Sequence, residues 1–200
     1  MIGTEVDRRT GQRRRTVVTS TVEPGFTRDG VEHQVTSFDD GAGRKGWWET
    51  ELRPTGAYRT RESAGDASWE WSPALRTVTL PLRVASTWSY AGTATVADVD
   101  GSRMAIRVAG RFTAPETATV RVGDRRVFTF VVKGTVTTTV TRTERATGKV
   151  TTTVTESDGR SWFAPSRLLV LRTESVTTTT TEGVGGGRRR VASRAAVERL

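Results

Sequence analysis

Apolar and charged side chains alternate between residues 103 and 112. Met104, Ile106, Val108 and Phe112 fall on one parity, and Arg103, Arg107 and Arg111 on the other. A strand turns successive side chains to opposite faces, so this period of two makes one dry face and one charged face. Trp88, Tyr90, Gly92, Ala94 and Val96 repeat the pattern just upstream. Before residue 187, no window of about eleven residues carries the i, i+3, i+4, i+7 apolar stripe of an amphipathic helix. Thr and Val are abundant, and β-branched side chains favour a pleated, half-buried surface. A chain so patterned is confined to antiparallel sheet.

Turn chemistry divides the sheet into strands. Thr10-Gly11-Gln12 folds residues 4–22 into a hairpin, and Asp29-Gly30 and Asp39-Asp40-Gly41 bracket a short strand over 31–38. Pro54-Thr55-Gly56 joins strands at 46–53 and 56–63. A strand over 75–84 contains Pro81, which places it at an edge or a bend. Residues 117–122 form a short strand, and a longer one over 126–142 bends at Gly134. The apolar run from Leu168 to Leu171 reads as a strand buried on both faces. Ten or more strands with Asp-Gly turns predict a strongly curved antiparallel sheet, a half-barrel or open barrel. The β domain covers 1–182; 183–200 reads as a Gly-rich linker and a flexible basic C-terminal tail.

The composition excludes several chemistries. The 200 residues include no Cys and one His, which excludes disulfide scaffolds, thiol nucleophiles and histidine metal clusters. No metal or cofactor is expected. No apolar run reaches the ~18 residues of a transmembrane span. Against 22 acidic residues stand 31 Lys and Arg, a formal net charge of +9, which attracts anionic surfaces without choosing among them. No apolar segment follows Met1 as in a secretory leader. The chain is expected in the cytoplasm, or in the cell envelope or secreted if a leader lies upstream.

Familiar motifs fail on context. Gly41-Ala42-Gly43-Arg44-Lys45-Gly46 has the spacing of a dinucleotide loop, but that loop works by opening a helix, and Trp47 to Arg53 reads as strand. Asp98 to Ser102 begins like a calcium loop, yet Arg103 and Ala109 hold the positions that need Gly and Glu. His33 is the one ordinary neutral-pH base, and no nucleophile elbow accompanies it. Glu49 and Glu51 share a strand face, with nothing in the sequence marking a pocket around them. A hydrolase using acidic residues is the remotest alternative, and no catalytic residue is assigned.

Two clusters point to binding. The aromatic set Trp69, Trp71, Trp88, Tyr90, Phe128 and Phe130 falls on strand faces where it fills a core or lines a concavity for a lipid or other amphipathic small molecule. Arg8, Arg9, Arg13, Arg14 and Arg15 gather around a hairpin tip and make an anion-binding candidate. Single-strand nucleic-acid binding also needs aromatic platforms on that surface. The first aromatic is Phe26, so nucleic acid is disfavoured against an anionic surface or protein partner.

Trp69-Glu70-Trp71-Ser72-Pro73, Leu80-Pro81-Leu82 and Ser86 to Gly92 come in a familiar order. Ser161-Trp162-Phe163-Ala164-Pro165 and a Leu-Val strand with a Thr-rich ending follow. Over residues 69–181 this order resembles uncharacterised bacterial envelope half-barrel proteins, similar in fold to lipoprotein carriers of the LolA and LppX type. Ser166-Arg167 departs from the glycine-led turn of that pattern. The resemblance implies a curved sheet around a hydrophobic concavity and a noncatalytic envelope protein.

Overall fold

The computed structural model describes residues 2–7, 13–17, 19–39, 45–97, 101–183 and 188–198. Fourteen strands form one antiparallel sheet: β1 Ile2–Asp7, β2 Arg13–Val17, β3 Thr19–Val22, β4 Phe26–Arg28, β5 Val31–Asp39, β6 Lys45–Arg53 and β7 Gly56–Ala64. These are followed by β8 Ala67–Thr79, β9 Ser86–Ala97, β10 Arg103–Val122, β11 Arg125–Thr143, β12 Val150–Ala164, β13 Leu169–Gly183 and β14 Arg188–Glu198. The order across the sheet is β2-β1-β14-β13-β12-β11-β10-β9-β8-β7-β6-β5-β3, with β4 paired to β5. The sheet curls strongly into a half-barrel. Its first and last members, β2 and β3, are one residue apart in sequence. Consecutive Cα atoms lie about 3.8 Å apart, so the chain itself draws the two ends of the order to within about 8 Å.

Several strands run longer than the sequence implies. The stretch 117–122 is the far half of β10, which continues through a register shift between Thr113 and Glu116. Pro115 sits in that shift, where its missing N–H costs no ladder bond. β8 takes in the irregular Trp69–Pro73 stretch and stops before Leu80-Pro81. Leu168 to Leu171 is not buried on both faces. Leu168 caps a 3₁₀ turn in the left-handed conformation, Leu171 is buried and Val170 is exposed. The basic segment expected as a flexible tail is the strand β14 over 188–198, paired to β13 on one side and β1 on the other. Without it both neighbours would present an open row of backbone donors and acceptors.

The alternation of β9 and β10 sets the core. Trp88, Ala114, Val132, Phe163 and Leu82 pack together at one end. Ala94, Val96 and Ile106 form a second cluster with Trp69 and Trp71. Across β12 and β13 the lining turns from apolar to hydroxyl. Thr153–Thr181, Thr155–Thr179, Ser157–Thr177 and Ser161–Thr173 pair side chain to side chain at 3.2–3.3 Å. Such pairs support a sheet too poor in aliphatics to be dry throughout. Between β8 and β9 the ladder thins to one pair, Ser72 with Thr93. There Leu75 and the Pro73 carbonyl crowd Gly92, where a Cβ would come within 2.5 and 2.9 Å of them.

Candidate functional site

The six aromatics do not make one wall. Trp88 is core: it is buried, its ring stacks on Phe112 at 5.4 Å, and its Nε1 donates to the Thr77 carbonyl at 3.2 Å. Tyr90 leans on the same Phe112 ring at 5.3 Å, so Phe112 joins the two. Trp69 and Trp71 meet edge to face at 6.2 Å over the second cluster. Phe128 and Phe130 pair at 5.4 Å, with Phe128 exposed. Trp88 and Phe130 share the first core cluster, Trp69 and Trp71 cover the second, and Phe128 stands outside both.

The concavity expected from the curvature lies elsewhere. A half-open chamber of about 350 Å³ lies between β3, β5 to β8 and the segment from Phe163 to Thr173. Trp48, Leu52, Val78, Phe163 and Leu168 give it apolar walls. Thr36, Thr50 and Thr77 add hydroxyls. Among the described residues, the cation that lines it is Arg59. The register shift between β6 and β7 puts it there. Thr50 pairs with Arg59 and Glu49 with Arg61, leaving Thr60 as the extra residue. The bulge sends Arg59 and Glu62 to the face of Trp48 and Thr50, and leaves Arg61 on the opposite face.

Arg59 is held by two neighbours, one of them fixed in turn by a third residue. Its guanidinium carbon lies 4.9 Å over the Trp48 ring. Its Nη1 donates to Glu62 Oε2 at 3.4 Å. The same carboxylate oxygen accepts from Trp71 Nε1 at 3.2 Å. Arg59 Nε is buried with no hydrogen-bond partner. A charged donor left unmade costs free energy, and an arriving acceptor recovers it. Tyr90 belongs to this group. Burial pushes its phenol above the usual range, Arg59 opposes the rise, and Glu62 adds to it.

The lone histidine and Glu49 come together on the opposite face. His33 Nδ1 lies 2.8 Å from Glu49 Oε1, Arg28 Nη1 lies 3.2 Å from the same oxygen, and Arg61 Nη1 lies 4.0 Å from Oε2. Phe26 stacks on the imidazole at 5.2 Å. His33 and Glu49 are 3% and 4% exposed, so the cluster is closed to a substrate as it stands. Glu51, two residues on, pairs with Arg53 instead.

The arginine hairpin is described only in part. Arg13, Arg14 and Arg15 stand on β2 opposite Val6, Glu5 and Thr4. Arg8 and Arg9, with residues 40–44 of the glycine-rich turn and 98–100 of the acidic turn, lie outside the described residues. No group of three or more potential metal ligands occurs among the described residues, and none of their helices is long and apolar enough to cross a membrane.

Trp48 and Arg59 were not singled out in the sequence. The signal present was the Trp47-Trp48 doublet, which sends one ring to each face of any strand. Comparison with family models, curated proteins and solved structures returns no match.

Proposed function

We propose that this chain is a noncatalytic half-barrel that holds a small amphipathic anion, a single acyl chain with a carboxylate head. The observation that carries the reading is Arg59, a cation stacked on Trp48 inside apolar walls with its Nε unpartnered. The head group meets the guanidinium and the chain lies along Leu52, Val78 and Phe163. Each methylene buried there contributes about 0.8 kcal/mol, and a charge-assisted hydrogen bond to the head about 1.5–3 kcal/mol. A chamber of 350 Å³ suits one short chain rather than a diacyl lipid. The resemblance to envelope carriers is in keeping with such a role, and an envelope setting is part of the proposal.

The test is a titration of the full chain with decanoate and, separately, decanol, followed by tryptophan fluorescence. Decanoate is expected to shift the emission through Trp48. Arg59→Met is expected to weaken decanoate by about tenfold or more while leaving decanol unchanged. Identical decanoate isotherms for the two chains would sink the assignment, as would an absence of binding.

A further inference from the structure

The solvent face of β9 to β11 is cationic and free of carboxylates. Arg103, Arg107 and Arg111 stand on it along β10, and all three are exposed. Four residues of strand measure about 14 Å, so the stripe from the first to the last runs about 27 Å. Their cross-strand partners on this face are small: Ala97, Thr93 and Ser89 on β9, and Thr143, Thr139 and Thr135 on β11. Ala105 and Ala109, also exposed, fill the positions between the arginines. Lys133 extends the face at its far end, where it reaches Glu116 at 3.6 Å. No Asp or Glu occurs in 86–97, 103–113 or 133–143. Carboxylates resume around this face, at Glu116, at Glu156 and Asp158 on β12 and, in the sequence, at Asp98 and Asp100.

Neighbouring strands use their arginines differently. On β6 to β8, Arg53 pairs with Glu51 and Arg61 with Glu70. On β12 and β13, Arg160 and Arg172 share Glu174. Arg103, Arg107 and Arg111 have no ion pair or hydrogen bond among the described residues. We infer that this stripe docks the protein on the surface of an anionic phospholipid bilayer. Charge complementarity carries the inference: three uncommitted cations face the partner with no acid between them. A fluid bilayer brings a head group to each cation whatever their spacing, and juxtamembrane basic residues gain from its negative surface potential. The curl of the sheet agrees. The core side chains fill the concave side, so the arginines stand on the convex one, and a convex sheet meets a flat surface over a few strands. Nucleic acid fits less well. The face offers no aromatic platform to a single strand, and the major groove of a duplex admits a helix or a two-stranded ribbon rather than a curved sheet. The docking face is separate from the chamber and does not rest on a ligand there.

The inference is tested by co-sedimentation of the full chain with vesicles of equimolar phosphatidylglycerol and phosphatidylcholine, beside vesicles of phosphatidylcholine alone. Binding to the mixed vesicles is expected at low salt, and its loss in about 1 M salt, which screens charges beyond about 3 Å. Phosphatidylcholine alone is expected not to bind. Each arginine near the surface is worth about fivefold in partitioning, so Arg103→Gln, Arg107→Gln and Arg111→Gln together should weaken it by about a hundredfold. A control chain with Arg83→Gln, Arg125→Gln and Arg126→Gln loses the same charge from exposed positions off the stripe and should weaken it by less than about fivefold. Near-ultraviolet circular dichroism checks that both chains are folded. Decanoate binding in the chamber stays unchanged in both, so the two sites fail or stand separately. The inference is overturned if the mixed vesicles do not bind, if the stripe variant partitions like the parent, if the control loses as much, or if a short DNA duplex binds more tightly than the vesicles at the same salt.

Discussion

Gly134→Ala adds one methyl group where the structure has no room for it. Backbone conformation is not the obstacle, since Gly134 is not among the positive-φ glycines. The obstacle is the Phe112 ring, which lies over the glycine, and the Arg111 carbonyl oxygen, 2.9 Å from where the Cβ would stand. The ring is itself wedged between Trp88 and Tyr90, so moving it disturbs two aromatic contacts worth about 0.5–1.5 kcal/mol each. Overpacking a close-packed site costs about 1–3 kcal/mol. The sum is a destabilisation of about 2–6 kcal/mol. In a chain of this length that lowers Tm by roughly 5–25 °C. Urea denaturation of Gly134→Ala, Phe112→Leu and the double variant measures it. A smaller, more flexible side chain at 112 leaves space for the methyl, so the two substitutions should couple by about 1–2 kcal/mol. Strict additivity, or a Gly134→Ala chain as stable as its parent, would refute the reasoning.

Three further outcomes follow from the charged groups. Tyr90 has a phenol pKa raised chiefly by burial; its contribution to stability is complete below the unfolded tyrosine value near 10 and is lost as pH climbs through the higher folded value. Tyr90→Phe should therefore flatten the alkaline limb of a stability–pH curve, measured by urea midpoints. Glu174 is held low, first by the Arg160 hydrogen bond and also by Arg172; its contribution is present above the unfolded carboxylate value and fades as pH falls through the folded one. Glu174→Gln should leave a shallower acid limb, a small change because the pair is largely solvated. Glu49→Gln leaves Arg28 and Arg61 without their shared carboxylate. Both arginines are half in water, so the loss should be about 1–3 kcal/mol by chemical denaturation, and a neutral result would show that the cluster contributes nothing.

The class of fold was legible because a period of two survives any arrangement of strands. Met104, Ile106 and Val108 face inward whatever they face, and the Asp-Gly and Thr-Gly turns cut the chain between strands. Trp69 with Trp71, and Trp88 with Tyr90, keep the faces that parity gives them. What parity could not show is which strands adjoin. The Thr-rich ending of β13 and the basic stretch after it look soluble and featureless one at a time. They become sheet because each satisfies the other's backbone, with β1 closing the far side of β14.

The chamber shows the same limit at the scale of one residue. Alternation puts Arg59 and Arg61 on one face, as two members of a charged strand. In the folded sheet the extra residue at Thr60 separates them. Arg59 turns inward onto Trp48, while Arg61 stays outside with Glu49 and Glu70. The sequence by itself determined that this chain makes a curved antiparallel sheet, because side-chain parity is a local property of every strand. The bulge that decides which arginine lines the interior depends on how β6 and β7 settle against each other. Such a register is fixed by packing across strands, and only the tertiary structure contains it.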